Sequence, residues 1–220
     1  MKYLFLLLFI ILSIIHLYHS YIDDKKKRAY TKPFLLICLL LFYYFSVENR
    51  NTYLMLALLT SWLGDVLLIP KGHAWFAIGG ISFFFTHVFF IIVYLNNITI
   101  SNIPYLLVIP IVIVYYYIAL KIMLAVKDNT PKIMLVPMFL YLVSNATMNA
   151  FALIQLFQHK NIASLIAHIG ALLFFISDCK LFLVRYHTNQ DLVYKKHFMV
   201  MLTYLLGELF ITLGVMMLGG

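Results

Sequence analysis

The chain has 220 residues, of which 64% are hydrophobic and only 11% are charged. Soluble domains carry about 25% charged residues, so this composition excludes a soluble enzyme, a disordered chain and a DNA-binding domain. The net charge of +8 is therefore interpreted as the signature of cationic loops between membrane helices, and no nucleic acid is expected as a partner.

Eight apolar runs follow one another along the chain. They lie at residues 3–22, 33–48, 52–70, 74–95, 104–126, 132–157, 161–184 and 198–218. A membrane helix needs roughly 20 apolar residues, and backbone in lipid must form its hydrogen bonds internally. The runs predict an all-α fold, a polytopic membrane protein with a bundle of eight transmembrane helices and short loops. Residues 1–220 are predicted to form a single transmembrane domain.

The first run has the hydrophobicity of a signal peptide but no small-residue cleavage pattern after it. Histidine and tyrosine side chains occupy the place where such a pattern belongs, at His16, His19 and Tyr21. We therefore expect the first run to be a retained membrane helix.

Most of the cations lie in alternate connections. The first, third, fifth and seventh connections hold Lys25, Lys26, Lys27, Arg28, Lys32, Lys71, Lys127, Lys132, Arg185, Lys195 and Lys196. The other three connections hold only Arg50 and Lys160. The positive-inside rule then predicts that the odd-numbered connections are cytosolic and that both termini are non-cytoplasmic. A bacterial inner membrane and an endoplasmic reticulum membrane both fit this pattern.

Three acidic residues, Asp65, Asp178 and Glu208, fall inside apolar runs. An acid near the bilayer centre costs about 2.5–3.5 kcal/mol on insertion scales, which makes each a candidate for function. The predicted orientation places Asp65 and Asp178 each roughly 8–10 Å inside the inner boundary, at 1.5 Å per helical residue. Lys32 is expected at the cytosolic mouth of the second helix. The two aspartates and this lysine are thus predicted to share the inner leaflet.

Further polar residues lie at similar or slightly greater depth. Tyr204 and Glu208 are four residues apart on one helix face, as are Tyr141 and Asn145, and His87 lies in the middle of the fourth run. Such groups either line a polar cavity that is open to the cytosol or bind neighbouring helices together through hydrogen bonds. On the first interpretation they are candidate substrate-binding residues together with Lys32.

Known catalytic motifs are absent from the sequence, which has no GxSxG, P-loop, HExxH or GxGxxG pattern. A zinc site built from His87, His168 or His197 with Asp65 or Asp178 is conceivable. Zinc needs ligands at about 2 Å, however, and the predicted depths keep these histidines apart. We therefore predict no metal site.

Several stretches match, in order, those of a known family. They are Thr31-Lys32-Pro33, Ser61-Trp62-Leu63-Gly64-Asp65-Val66-Leu67-Leu68, Phe76-Ala77-Ile78-Gly79-Gly80 with Phe84 and His87, the stretch from Tyr141 to Met148, Gly170-Ala171-Leu172-Leu173-Phe174-Phe175-Ile176-Ser177-Asp178, and Tyr204 with Glu208. With these stretches, the sequence resembles the lysoplasmalogenase family, the YhhN-like multispanning membrane proteins. The Gly-Asp and Ser-Asp segments are the most specific of them.

The resemblance implies an eight-helix fold and a hydrolase that cleaves the vinyl-ether bond of lysoplasmalogens. The partners would be a lysophospholipid substrate and membrane lipids, and the products a fatty aldehyde and a glycerophospho-base. The resemblance also implies that Asp65 and Asp178 are the working carboxylates. Acid-base chemistry by two carboxyls resembles glycoside hydrolysis and requires no metal or organic cofactor, while Lys32 would hold the substrate phosphate.

Two other functions are compatible with the same residues. A proton-coupled small transporter or a lipid-binding membrane protein would use Asp65, Asp178 and Glu208, although the paired repeats that are common in transporters are missing. A zinc-dependent intramembrane lipid hydrolase is the third alternative.

Overall fold

The computed structural model describes residues 1–219, and these form eight α-helices joined by short loops. The helices are α1 (Lys2–Tyr21), α2 (Lys25–Ser46), α3 (Thr52–Leu67), α4 (His73–Leu95), α5 (Tyr105–Val126), α6 (Lys132–His159), α7 (Ile162–Tyr186) and α8 (His197–Met217). Short 3₁₀ helices occupy three of the loops, at Ile100–Asn102, Lys127–Asn129 and Gln190–Leu192. The predicted all-α fold is confirmed, with one helix for each apolar run.

Seven of the helices formed by residues 1–219 are long and apolar enough to cross a membrane, which indicates a multi-pass membrane protein. The exception is α3, which has only 16 residues. At 1.5 Å per residue this helix is about 24 Å long, whereas the hydrocarbon core of a bilayer is about 30 Å thick. The predicted count of eight spans therefore rests on α3 and stays a prediction.

Helix α2 begins eight residues before the apolar run that predicted it, at Lys25 instead of residue 33. The Asp24 side chain caps this start by accepting a hydrogen bond from the Lys27 backbone N–H, which also lowers the pKa of the Asp24 carboxyl. Pro33 lies inside the helix instead of marking its beginning. Lys32 is consequently a helical residue rather than part of a loop, and the expected loop position was wrong.

Seven helices form a closed ring in which α1, α2, α3, α4, α6, α7 and α8 each pack against the next and α8 packs against α1. Helix α5 lies outside this ring, against α6 and α7. Chain order and spatial order therefore differ at α5, because α4 packs directly against α6. The interior of the ring receives side chains from helices that are distant in the sequence.

Helices α7 and α8 approach each other closely along a row of glycines. A Cβ atom at Gly170 would lie 2.5 Å from the Ile211 backbone nitrogen, and one at Gly214 would lie 2.5 Å from the Ala167 nitrogen. Small residues let helix backbones approach in this way. The close contact continues to Ser177, whose hydroxyl donates to the Val200 carbonyl oxygen at 2.9 Å. This packing fixes the position of α7 against α8 at Ser177. It therefore also fixes the position of the neighbouring Asp178.

Candidate active site

A polar cavity of about 460 Å³ lies at the end of the bundle where the α1–α2, α3–α4 and α7–α8 connections meet. Its rim includes exposed residues such as Lys25 and Lys71, so the cavity reaches the surface. Asp65 of α3 and Asp178 of α7 both line it. The ring of helices thus brings two acids from distant parts of the chain to one cavity.

Asp65 lies on the buried face of α3 and is only 2% exposed. Its Oδ1 atom lies 3.0 Å from the Lys32 ammonium of α2, and its Oδ2 atom accepts a hydrogen bond of 2.9 Å from the Tyr204 hydroxyl of α8. The preceding residue is Gly64, where a Cβ atom would lie 2.6 Å from the Phe83 ring. A glycine at this position lets α4 pack tightly beside Asp65.

Lys32, which was expected at the cytosolic mouth, is largely buried at the wall of the cavity. Its side chain is 15% exposed, and its ammonium forms the ion pair with Asp65. A buried carboxylate needs a compensating cation, and Lys32 supplies it here. Lys32 does line the cavity, but its charge is already directed at Asp65.

Asp178 is 5% exposed and receives neutral hydrogen-bond donors. Its Oδ2 atom accepts from the Tyr141 hydroxyl at 2.8 Å and from the Asn145 amide at 2.7 Å, both on α6. The Nε2 atom of His87 lies 3.4 Å from the same oxygen. All three contacts are made to Oδ2, so the two aspartates have different surroundings: a lysine for one, and a tyrosine, an amide and a histidine for the other.

The residues Tyr141, Asn145 and His87 lie behind Asp178 and do not line the polar cavity. His87 is fully buried, its Nδ1 atom lies 3.0 Å from the Ser144 hydroxyl, and its ring packs edge-on against Tyr141 at 4.9 Å. These side chains are placed to orient Asp178. A direct contact between them and a substrate stays a prediction, whereas Lys32 and Tyr204 do line the cavity.

Glu208 occupies a separate position deeper in the ring. It is fully buried and does not line the polar cavity, and its Oε1 atom accepts a hydrogen bond from the Ser61 hydroxyl of α3. Tyr204, one turn before it on α8, reaches the cavity and Asp65 instead. The residues Ser61 and Asp65 of α3 thus face Glu208 and Tyr204 of α8, which supports a role for Glu208 in joining these helices.

The mouth of the cavity carries cations that the sequence analysis used only to predict topology. Arg28, Lys71 and Arg185 line it, and Arg28 forms an ion pair with the exposed Asp23 at 3.2 Å. The Arg185 guanidinium lies 3.9 Å from the centre of the Phe76 ring, which holds it over the cavity wall. A signal for these residues was present in the sequence, because Lys71 and Arg185 each follow one of the two acids by about two helical turns.

The histidines considered for a zinc site lie in three different surroundings. His87 contacts Asp178, His197 lines the polar cavity, and His168 lies 3.4 Å from the Tyr115 hydroxyl of α5. Within residues 1–219, no group of three His, Cys, Asp or Glu side chains is arranged to hold a metal ion.

Comparison with known proteins gives one match. The family model of the YhhN family matches residues 27–215, a range that contains Asp65, Asp178 and the side chains that contact them. None of the curated proteins or solved structures that were compared matches the chain. The match covers most of the sequence, and the chain belongs to the YhhN family, which includes lysoplasmalogenases and is associated with hydrolase activity.

Proposed function

We propose that this YhhN-family protein is a membrane hydrolase that cleaves the vinyl-ether bond of lysoplasmalogens. Its substrate would be an alkenyl-glycerophosphoethanolamine or alkenyl-glycerophosphocholine, and its products a fatty aldehyde and the glycerophospho-base. One observation carries the proposal: the buried carboxyl groups of Asp65 and Asp178 come from two helices to one cavity with a cationic mouth. Family membership supports the reaction class.

The chemistry of a vinyl ether defines what the site must supply. Protonation of the outer alkene carbon gives an oxocarbenium ion, which water then attacks at the carbon bonded to oxygen. The reaction needs a proton donor, a base for the water and negative charge near the cation. Two carboxyls perform these tasks on a similar cation in glycoside hydrolysis.

Asp178 is the better proton donor of the two. Both of its neutral hydrogen-bond donors, Tyr141 and Asn145, bind Oδ2. In the proposed mechanism Oδ2 is the carbonyl oxygen that these donors hold, and Oδ1 carries the proton. Asp178 would transfer that proton to the outer alkene carbon.

Asp65 is suited to the role of the carboxylate base. The Lys32 ammonium at 3.0 Å compensates its negative charge, and Tyr204 donates to its second oxygen. Asp65 would remove a proton from the attacking water and would stabilise the oxocarbenium ion electrostatically. The resulting hemiacetal collapses when its hydroxyl proton returns to Asp178 and the proton on Asp65 passes to the departing glycerol oxygen. One water is consumed and both carboxyls recover their starting state.

The cations at the cavity mouth are suited to bind an anionic headgroup. Arg28, Lys71 and Arg185 line the same cavity as the aspartates, and guanidinium groups bind phosphate in a bidentate manner. With Lys32 engaged by Asp65, these three cations are the better candidates for holding the substrate phosphate.

The proposed topology has eight membrane spans, of which α3 is a short one. The start of α1 and the end of α8 lie on the non-cytoplasmic side. The cavity mouth would then face the cytosol, because it is built at the odd-numbered connections. The substrate would come from the inner leaflet of a bacterial inner membrane or from the cytosolic leaflet of the endoplasmic reticulum.

The direct test is aldehyde release by the purified protein in detergent. We expect equal amounts of aldehyde and glycerophospho-base from an alkenyl lysophospholipid. No aldehyde is expected from the alkyl-ether lipid with the same chain and headgroup, which has no alkene to protonate. A folded protein that releases no aldehyde would contradict the proposal, and activity that is lost with a chelator and restored by zinc would favour the zinc-dependent alternative.

A further inference from the structure

A second cavity, of about 280 Å³, lies between α4, α6 and α7 and has an almost entirely apolar lining. We call it the side groove. Gly80, Ile81 and Phe84 of α4 form one wall, and Val136, Met138 and Leu140 of α6 form the other. Within the part of the chain that the structure describes, no charged side chain lines the side groove, in contrast to the polar cavity.

The side groove adjoins the polar cavity. Leu68, Phe76, Phe83 and Leu181 line both of them, so the two spaces share a wall. Tyr141 also lines the side groove. The apolar space therefore meets the polar one at the site of the two aspartates.

Two aromatic side chains connect the side groove with the acids. Tyr141 lines the groove while its hydroxyl donates to Oδ2 of Asp178. The Phe83 ring lies 5.9 Å from the ring of Tyr204, whose hydroxyl donates to Asp65. An apolar chain in the groove would consequently end next to the groups that perform the proposed chemistry.

The other end of the side groove faces the outside of the bundle. Ile81 is 55% exposed, Val136 66% and Leu140 52%, whereas Phe83 and Met138 are buried. These residues belong to helices that are long and apolar enough to span a membrane, so their exposed side chains face lipid. The side groove thus extends from the lipid to the wall that it shares with the polar cavity.

We propose that the side groove binds the hydrocarbon chain of a single-chain phospholipid whose headgroup lies in the cationic mouth. This inference rests on the proposed function, since it assigns the chain of the same substrate. The two joined spaces match the two halves of such a lipid: an uncharged groove for the chain and a mouth with Arg28, Lys71 and Arg185 for the phosphate. The wall that they share, which includes Phe83 and Leu181, is where the vinyl-ether bond would lie.

Gly80 determines how much chain the side groove accepts. Gly80 lines the groove, and a Cβ atom at this position would meet no other atom within 4 Å, so a side chain introduced there starts in open space. Each methylene that a hydrophobic site can no longer accommodate changes the discrimination between substrates by about 10- to 200-fold. Gly80 is thereby a specificity-determining residue for chain length.

The test compares kcat/KM for a long-chain and a short-chain alkenyl lysophospholipid with the same headgroup. Gly80→Trp should lower kcat/KM for the long chain by about tenfold or more relative to the short chain. Ile78→Trp is the matched control, because it places the same side chain on α4 at an exposed position outside the groove. This control should keep the wild-type ratio. An unchanged ratio in Gly80→Trp, or an equal shift in Ile78→Trp, would overturn the proposal.

A binding measurement separates this inference from the proposed reaction. A lysophospholipid with a diazirine at its chain end should label the side groove of the full protein, in peptides from α4 and α6, and should lose this labelling in Gly80→Trp. Labelling outside the groove would overturn the inference, as would displacement by an excess of diacylphospholipid, which would identify a general lipid site. If wild-type protein is labelled in the groove but releases no aldehyde, the reaction proposed above fails while the chain site stands.

Discussion

At the scale of single residues, Lys32 makes a contact that its sequence position does not predict. The ion pair with Asp65 makes it a partner of the proposed base. We expect Lys32→Ala to lower kcat more than it raises KM, and to lower the thermal unfolding temperature in detergent, because truncation of one partner of a buried pair costs about 3–5 kcal/mol. Steady-state kinetics and a thermal melt measure both effects.

The matched control for Lys32 is Lys71→Ala, which removes a cation at the cavity mouth. This variant should raise KM and leave kcat near the wild-type value, since a phosphate contact acts equally on the ground state and the transition state. A raised KM with normal kcat in Lys32→Ala would restore its predicted role as the phosphate anchor.

Tyr141 tests the assignment of Asp178 as the acid. Asp178 gains negative charge as it gives up its proton, so the hydrogen bond from Tyr141 to Oδ2 strengthens in the transition state. Hydrogen bonds to charged groups are worth about 1.5–3 kcal/mol, and Tyr141→Phe should therefore lower kcat about tenfold to a hundredfold. Tyr115→Phe, which removes a hydroxyl near His168, should have no such effect on kcat. Equal kcat values in the two variants would remove Tyr141 from the mechanism.

At the scale of helices, the contact between α7 and α8 determines the shape of the site. An alanine at Gly170 would place Cβ 2.5 Å from the Ile211 backbone nitrogen, and backbone atoms cannot move aside as a flexible side chain can. Overpacking of this kind costs about 1–3 kcal/mol, so Gly170→Ala should lower the thermal unfolding temperature. Gly80→Ala makes the same chemical change in open space and should not lower it. Identical melting curves for Gly170→Ala and Gly80→Ala would contradict the close packing of α7 against α8.

The sequence predicts helices well because lipid permits few alternatives for an apolar run. It fails at the start of α2, where Lys25 to Lys32 are polar but helical. Hydropathy measures which residues prefer lipid, and a helix that extends beyond the lipid leaves no such signal. The Asp24 cap, three residues before the Lys27 N–H that it binds, is the local feature that predicts the earlier start.

The depth of the two aspartates in the membrane can be predicted from the sequence, but their side-chain contacts cannot. Positions along the helices place Asp65 and Asp178 at one level, and both line one cavity. Glu208, expected at similar or slightly greater depth, lies outside the cavity lining and contacts Ser61, and the sequence does not predict that contact. Which tyrosine contacts which acid depends on the rotation and order of the helices in the ring, and sequence spacing within one helix contains no information about either.

At the scale of the whole molecule, the orientation in the membrane decides from which leaflet a lipid reaches the cavity. In intact cells or sealed vesicles, a membrane-impermeant thiol reagent should label Lys71→Cys from the cytosolic side only, and Asn96→Cys from the opposite side only. Lys71 lies in the α3–α4 connection and Asn96 in the α4–α5 connection, and both are exposed, whereas Cys38 and Cys179 are buried. The reverse labelling pattern would contradict the predicted topology.

The proposed hydrolysis mechanism depends on Asp65 and Asp178 acting as one unit. The most direct test measures kcat/KM for aldehyde release by Asp65→Asn, Asp178→Asn and the double variant. The gel-filtration profile and the thermal unfolding temperature in detergent show whether each variant is folded. Acid-base groups contribute typically about 10²–10⁴-fold, so each single variant should lose at least about a hundredfold. The double variant should lose little more, because groups that act together are not additive. Near-normal turnover in either single variant, with the protein folded, would contradict the account.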